Sequence, residues 1–283
     1  MKTPEQIKGA IRNISKKFGT NPNSLLQMYL FEGILEKLSK SDYKDKFIIK
    51  GGLLVSSLIG VDMRTTMDMD TTIKGIPVNE KTITAIINEI LAIPIDAEIN
   101  YELKKLIPIR AKDIYEDFSA NIICTFGKIR ATLNIDITTG DAITPREMKY
   151  SYPRIFDEES IPIMSYTIET IIAEKFETIS SRNIFTTRAR DFYDLYMLFT
   201  VYKDKLDKDV LRGAILNTSE HRGSVKTVKE YKNITEMLLD NQDLEKLWEK
   251  YIKTNIYARD VKFKDTVLVY NEIGDATKLG IQE

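Results

Sequence analysis

The chain has 283 residues and 43% of them are hydrophobic, which suffices for one large domain or two of ordinary size and excludes disorder throughout. Lys and Arg total 41 against 42 for Asp and Glu, so the formal net charge of -1 excludes a protein that binds nucleic acid by overall positive charge. Because Cys124 is the single cysteine, a disulfide framework within the chain is also excluded.

Two amphipathic helices are predicted at the N-terminus. Isoleucines at helical spacing indicate the first over residues 4–17, and Asn23 or Ser24 is expected to cap the second. The charged character of this segment is not that of a signal peptide, and no apolar run in the chain approaches the ~20 residues that span a bilayer. We therefore expect a soluble, cytoplasmic protein with no membrane partner.

Strands and helices are predicted to alternate up to residue 138. The evidence is a change between period-2 and period-3.6 spacing of the apolar residues, interrupted by glycine turns. In chain order, the prediction is a strand at 47–49, a helix from Gly51-Gly52 to about Gly60 and a strand at 67–74. A helix capped by Asn79 follows, and then strands over 97–138 with a hairpin turn at Gly127-Lys128.

The pattern weakens over residues 140–162, where three prolines and an acidic run predict a linker or domain edge. Beyond Ser165, helical periodicity continues nearly to the end of the chain. We therefore expect an α+β fold, with a mixed sheet and flanking helices over residues 1–160 and a helical bundle over residues 161–283. The predicted helices of the bundle cover 167–181, 189–203, 207–218, 225–239 and 241–254.

A pair of aspartates in the second predicted strand is the first candidate for chemistry. Asp68 and Asp70 alternate with Met67 and Met69, so both carboxylates lie on one face of the strand. Like charges so placed repel unless a cation lies between them, and Mg²⁺ is a suitable cation because it binds carboxylates together with substrate phosphates. Taken alone, the pair is better explained as solvated acids at a strand edge.

Two neighbouring features change that balance. Lys50-Gly51-Gly52 follows a predicted strand and begins a helix, and such glycines let backbone N–H groups approach a phosphate closely. Asp136, in a later predicted strand, projects away from the core and supplies a third carboxylate. Together, Asp68, Asp70 and Asp136 predict a site for two metal ions that would activate an attacking hydroxyl and support in-line displacement at an α-phosphate.

Two charged residues lie on the apolar faces of predicted helices. Lys175 interrupts a stripe of isoleucines, and Asp191 shares a face with leucines of the following helix. One interpretation is a buried Lys175–Asp191 ion pair that joins the two helices. The other places Lys175 on a triphosphate, with Asp191 orienting it or acting as general base, and the two interpretations can both hold. We expect Asp194 to be a supporting or surface acid, while Arg188 and Arg190 could bind phosphates or lie in solvent.

These motifs resemble those of a known family. Lys50-Gly51-Gly52 with Arg64-Thr65-Thr66-Met67-Asp68-Met69-Asp70 resembles the opening motif of the AbiEii-like branch of DNA polymerase β-type nucleotidyltransferases. Glu174-Lys175 and the segment from Arg188 to Leu195 resemble the two C-terminal motifs of that branch. The resemblance extends from about Lys50 to Leu198. It departs from the family where a common serine is replaced by Gly52, which removes a hydroxyl contact to phosphate.

The resemblance implies a function. The chain would be the toxin of an AbiE-type, type IV toxin–antitoxin system in phage abortive infection, with a nucleotidyltransferase-like sheet domain and a helical domain that contributes to the site. It would transfer a nucleotide from a nucleoside triphosphate, possibly GTP, to an RNA acceptor such as tRNA, with Mg²⁺ or Mn²⁺ as cofactor. A cognate antitoxin is the implied partner, with direct contact left open, and we expect a monomer.

The resemblance also implies residue roles. Asp68, Asp70, Lys175 and Asp191 would be catalytic, and Asp68 and Asp70 would bind metal. The alternation of the later strand adds Asp136 to the predicted metal ligands. The predicted nucleotide-binding residues are Lys50, Gly51, Gly52, Arg64 and Lys175. Two alternatives stay open at this point: a metal-dependent kinase or phosphotransferase, and a non-catalytic nucleotide-binding module that acts through its helices.

Overall fold

A computed structural model describes residues 3–109 and 117–280 of the chain. The chain divides into two compact units. The first, the sheet unit, comprises Met1–Asp141 and Met148–Ser165, and the second, the helical unit, comprises Ala142–Glu147 and Tyr166–Glu283. This mixed α/β architecture confirms the predicted fold class, whereas the predicted domain boundary at residue 160 stays a prediction.

The sheet unit contains a seven-stranded mixed sheet in the order β3-β4-β5-β2-β1-β7-β6. Strand β2 pairs antiparallel with β1 and parallel with β5, and β7 pairs parallel with β1. The predicted stretch 97–138 forms three of the strands and includes residues 110–116, which lie outside the described residues. The strands are β1 (Phe47–Lys50), β2 (Asp68–Ile73), β3 (Asn100–Pro108), β4 (Phe118–Phe126), β5 (Ile129–Thr139), β6 (Met148–Pro153) and β7 (Ser160–Ser165).

Three of the four helices described in the sheet unit begin at a polar side chain that caps them, and the third helix is the exception. The side chain of Asn21, and not that of Asn23 or Ser24, accepts the first backbone N–H groups of the second helix. The prediction was two to three residues late because Pro22 is already the first helical residue, a position that proline tolerates. Asn79 caps the fourth helix as predicted. The helices are α1 (Pro4–Phe18), α2 (Pro22–Ser39), α3 (Gly51–Ile59) and α4 (Glu80–Ala92).

The core of the sheet unit lies between one face of the sheet and helices α2 and α4. Met69 of β2 and Ile135 of β5 line this interior together with Ile34 of α2 and Ile87 of α4. All four side chains are buried. The alternation of β2 and β5 therefore points their apolar residues into the core and their acidic residues to the opposite face.

Residues 140–162 were predicted to be a linker or a domain edge. The linker was wrong, because strand β6 and the start of β7 lie within this stretch, whereas the chain does pass between its two units at residues 141–148. Two of the three prolines that suggested a break, Pro153 and Pro162, are tolerated by the sheet. Pro153 ends β6, the edge strand. Pro162 pairs with Ser151, and the ladder between β7 and β1 begins only at Met164. A proline therefore interrupts no hydrogen bond on the β1 side.

The helical unit contains the helices predicted after Ser165, with two differences. The predicted helix 225–239 is broken at Glu230, and an additional helix follows near the C-terminus, where Tyr270 stacks on Phe176 with ring centroids 4.4 Å apart. Among the described residues, no helix is long and apolar enough to cross a membrane. The helices are α5 (Ile168–Arg182), α6 (Ala189–Tyr202), α7 (Lys208–His221), α8 (Val225–Lys229), α9 (Tyr231–Leu239), α10 (Gln242–Thr254) and α11 (Phe263–Ala276), with 3-10 turns at Asn183–Phe185 and Ile256–Ala258.

Candidate active site

Carboxylates of two neighbouring strands meet on the polar face of the sheet. In the parallel ladder between β2 and β5, Asp70 pairs with Asp136 and Asp68 pairs with Asn134. Paired residues of adjacent strands project to the same face, about 5 Å apart. The structure therefore brings the three predicted acids, Asp68, Asp70 and Asp136, to one patch of the sheet. Asp68 is exposed, and the other two are half-buried.

The Gly51-Gly52 turn holds the carboxylate of Asp70. Gly51 has φ +63°, and a Cβ on it would lie 2.0 Å from Oδ2 of Asp70. The backbone N–H of Gly52 donates to the same oxygen at 3.3 Å. Since these residues begin helix α3, the partial positive charge of the helix N-terminus favours an anion there. The turn that was predicted to bind phosphate therefore also holds Asp70, a predicted catalytic residue. This contact was not predicted from the sequence.

Arg64 braces this turn from inside the protein. Its side chain is 1% exposed, and Nη1 donates to the carbonyl of Gly52 at 2.9 Å, to Oγ of Ser56 at 3.2 Å and to the carbonyl of Thr65 at 3.2 Å. A Cβ on Gly52 would lie 2.8 Å from the same guanidinium nitrogen, so the turn and the arginine are closely packed. Arg64 was predicted to bind nucleotide; its observed contacts are those of a residue that positions the turn.

Lys50 and Asp136 each have a partner that the sequence analysis did not name. Lys50 lies opposite Asp70 in the ladder between β1 and β2, and its Nζ donates to Oγ1 of Thr138 at 2.8 Å and to the carboxylate of Asp141. The hydroxyl of Ser119 in β4 donates to Oδ1 of Asp136 at 2.7 Å. Lys50 thus lies on the strand beside Asp70, and the Ser119 hydroxyl orients Asp136.

The register of the β4–β5 hairpin was the signal that could have identified Ser119. Phe126 pairs with Ile129 across the predicted turn at Gly127-Lys128. Counting outward by equal steps on both strands places Ser119 opposite Asp136, as observed.

The donor set on this face suits a hard divalent cation. Carboxylate oxygens are the ligands that Mg²⁺ and Mn²⁺ prefer. The hydrogen bonds from Gly52 and Ser119 engage one oxygen each of Asp70 and Asp136, so they orient these carboxylates. Across residues 3–109 and 117–280, no three acidic, histidine or cysteine side chains are gathered closely enough to form a metal-binding group as they stand.

Lys175 lies between two buried carboxylates in the helical unit. Its Nζ donates to Oδ1 of Asp191 at 2.6 Å and is 3.0 Å from Oδ2 of Asp194. The side chains of Asp191 and Asp194 are 3% and 0% exposed, against 13% for Lys175. The structure thus contains the predicted ion pair, and it shows that Asp194 is a second buried partner and not a surface acid.

The second oxygen of Asp191 faces Arg188. Nε of Arg188 is 2.9 Å from Oδ2, close enough for an ion pair. The alignment does not make a hydrogen bond, and Oδ2 is a buried oxygen without a hydrogen-bond partner. Asp191 thus binds Lys175 through one oxygen and faces Arg188 with the other, which is compatible with a place in the site as well as with a structural role.

A protein-family comparison decides the identity of the chain. Residues 33–268 match the family described as nucleotidyl transferase AbiEii toxin of a type IV toxin–antitoxin system. The chain belongs to the AbiEii family. The match includes every predicted site residue from Lys50 to Asp191, and it confirms the resemblance, the nucleotidyltransferase class and the assignment as a toxin of a toxin–antitoxin system.

Two solved structures are similar to this AbiEii chain. A candidate nucleotidyltransferase from Helicobacter pylori aligns with a TM-score of 0.50 and 17% identity, over 93% of this chain and 100% of its own. JHP933 from Helicobacter pylori gives a TM-score of 0.49 and 17% identity, over 91% and 94% of the two chains. At 17% identity, the likeness to the candidate nucleotidyltransferase shows the fold alone. A comparison with curated proteins gives no match.

Proposed function

We propose that this AbiEii protein transfers a nucleoside monophosphate from a nucleoside triphosphate, with GTP as donor, to the end of an RNA acceptor, with tRNA as the acceptor class. The observation that carries the proposal is the pairing of Asp70 with Asp136, together with the contact between Asp70 and the N-terminus of α3. An acidic patch beside an anion-favouring helix end is suited to a metal-bound triphosphate.

The residues of the sheet unit have distinct parts in the proposed reaction. Asp68, Asp70 and Asp136 would hold Mg²⁺ or Mn²⁺, which when bound favours ionisation of the acceptor hydroxyl and neutralises charge at the α-phosphate. Ser119 and the Gly52 N–H keep two of these carboxylates oriented. A bond forms from the acceptor oxygen to the α-phosphorus, the bond to the pyrophosphate oxygen breaks so that pyrophosphate leaves, and the proton of the hydroxyl passes to water.

The basic residues would act on the triphosphate. Lys50, next to Asp70 in the ladder, is a phosphate-binding candidate on the same face of the sheet. Lys175 is proposed to stabilise the negative charge that develops on the leaving pyrophosphate, and Asp191 to hold Lys175 in its orientation. Arg64 would act indirectly, through the Gly51-Gly52 turn that it braces.

A labelling experiment tests the reaction class. Purified protein is incubated with Mg²⁺, total RNA and each α-labelled nucleoside triphosphate in turn, and the labelled RNA is sized. We expect label to be incorporated most strongly from GTP. The labelled RNA should have the length of tRNA. Incorporation from γ-labelled but not α-labelled nucleotide would instead establish a kinase.

Two variants make the assignment specific. Asp70→Asn should lose incorporation, because it removes a carboxylate charge at the patch, whereas Asp204→Asn changes an exposed acid of the helical unit and should retain it. On expression in cells, Asp68→Ala should be harmless where the wild type is toxic. Equal toxicity of the two proteins at equal abundance would overturn catalysis as the mode of action.

The biological setting is part of the same proposal. We place the protein in the cytoplasm, where its RNA acceptor and triphosphate are found, as a monomer that acts in phage abortive infection. Light scattering of the purified protein tests the monomer, and infection of cells that carry the wild type or Asp68→Ala tests the role in defence.

A further inference from the structure

One exposed aromatic ring stands apart from the rest of the described surface. Phe185, in the 3-10 turn Asn183–Phe185 between α5 and α6, is 86% exposed, whereas the next most exposed large hydrophobic residue among those described, Val201, is 50% exposed. A single exposed apolar side chain is ordinary. The case for a function at Phe185 therefore rests on its backbone and on the charges around it.

The turn that presents the ring is held on both sides. The N–H of Thr186 donates to the carbonyl of Asn183 at 3.2 Å, and the buried hydroxyl of Thr186 accepts from the N–H of Arg188 at 3.1 Å. The side-chain amide of Asn183 contacts the sulfur of Met237 in α9 at 3.6 Å. Because the backbone of the turn is already ordered, the protein would lose little conformational entropy when a ligand stacks on the ring.

The segment that carries the ring is strongly basic. Between residues 182 and 190 there are three arginines, Arg182, Arg188 and Arg190, and no acidic residue. All three arginines are exposed. Aromatic rings that stack on bases, flanked by cations that bind phosphates, are the usual recognition elements for single-stranded nucleic acid. One ring with the half-exposed Met237 is a small apolar area for a stable protein interface, which commonly buries about 800 Å² on each partner.

We propose that Phe185 stacks on an unpaired base of the RNA acceptor, and that Arg182 and Arg190 bind the adjoining phosphates. The inference deepens the proposed function, on which it rests, by assigning an RNA contact to the α5–α6 turn. Arg188 links that contact to the cluster of Lys175, Asp191 and Asp194, because its Nε lies 2.9 Å from Asp191 Oδ2 and Asp191 binds Lys175.

Fluorescence tests the stacking directly. The only tryptophan, Trp248, is 3% exposed, so Phe185→Trp adds an accessible fluorophore to a buried background. A 12-nucleotide unpaired RNA should quench the added fluorescence, whereas an abasic oligonucleotide of the same length and GTP alone should not. Equal quenching by the abasic strand, or by GTP alone, would overturn the proposal, the latter in favour of a site for the donor nucleotide.

Affinity measurements supply the second readout. Phe185→Ala should weaken binding of the same RNA about tenfold, as expected for loss of one stacked base, and Phe185→Trp should retain it. Val201→Ala, which trims an exposed apolar residue of α6, is the matched control and should leave affinity unchanged. Three results would each reject the proposal. They are unchanged affinity in Phe185→Ala, absence of RNA binding by the wild type, and a change in sedimentation of Phe185→Ala that reveals a protein interface. The proposed function is tested independently of Phe185, by measuring whether the wild type incorporates α-labelled nucleotide into RNA.

Discussion

The conformation of Gly51 makes a sharp test of the acidic patch possible. In Gly51→Ala the new Cβ would meet the Asp70 carboxylate at 2.0 Å, in a backbone with φ +63° that strains any L side chain. We expect nucleotide incorporation to fall at least 100-fold, since small displacements of reacting groups have effects of about that size. Incorporation is measured with α-labelled nucleotide, alongside the free energy of unfolding.

Gly223 provides the matched control for this prediction. Its φ is +68°, but nothing lies within 4 Å of the position where a Cβ would be added. Gly223→Ala should therefore show only the backbone strain, about 1 kcal/mol, and retain activity. Similar losses of activity in the two variants would contradict a specific role for the contact between Gly51 and Asp70.

The structural and catalytic roles of Lys175, which binds Asp191 and Asp194, can be tested separately. Lys175→Met removes the ammonium that the buried Asp191 and Asp194 share, so the free energy of unfolding should fall by about 3 kcal/mol in denaturant titration. The surface pair Lys246–Asp243, 2.9 Å apart, is the control, and Lys246→Met should cost at most about 0.5 kcal/mol.

Lys175→Arg then separates the two interpretations. It keeps the charge but replaces a compact ammonium by a planar guanidinium. If Lys175 assists the departure of pyrophosphate, the rate of nucleotide incorporation should fall strongly in this variant while the free energy of unfolding changes little. If activity follows stability alone across Lys175→Arg and Lys175→Met, the lysine is only a helix-joining residue.

At the scale of elements, helix α2 is joined to the chain beyond β6 by a buried acid. Oε1 of Glu32 accepts from the N–H of Ile155 at 2.7 Å. Burial raises the pKa of Glu32 from 4.5 to about 8, against the lowering effects of the Ile155 N–H and the Arg154 guanidinium. The folded protein therefore keeps a proton on Glu32 that the unfolded chain releases above about pH 4.5.

This difference gives a pH dependence of defined sign. Between pH 4.5 and about 8 the folded state binds the additional proton, so its stability falls as pH rises, by about 1 kcal/mol per pH unit from this group. Glu32→Gln, which stays neutral, should remove that contribution and flatten the profile, measured by denaturant titration at pH 5, 6, 7 and 8. Parallel profiles for the wild type and Glu32→Gln are the result that excludes a protonated Glu32.

At the scale of the whole molecule, most local signals in the sequence gave the right elements, whereas long-range pairings had no local signal. The turn at Gly127-Lys128, the cap at Asn79 and the helix after Gly51 all follow from short segments. The parallel pairing of β2 with β5 joins residues more than sixty positions apart, so no local pattern could give its register.

Burial of charged residues shows the same division. Lys175 and Asp191 were recognised because each interrupts an apolar helical face, which is a local signal. The place of Arg64 beneath the Gly52 turn, by contrast, depends on a loop that returns to helix α3. Helix α11 carried a readable pattern of Phe263, Val267, Tyr270 and Ile273, and its omission was an error of sequence reading.

The order of the strands predicts where the chain can be divided. A fragment of residues 1–160 would lack nearly all of β7, which pairs with β1 through Met164 and Ser165 and with the whole of β6. Strand β1 would then have an unpaired edge and β6 no partner, a situation that favours aggregation. A fragment of residues 1–166 keeps all seven strands. We expect the longer fragment to unfold cooperatively in denaturant and the shorter one to aggregate. Indistinguishable cooperative unfolding of the two fragments, or aggregation of both, would contradict the assignment of β6 and β7 to the sheet unit.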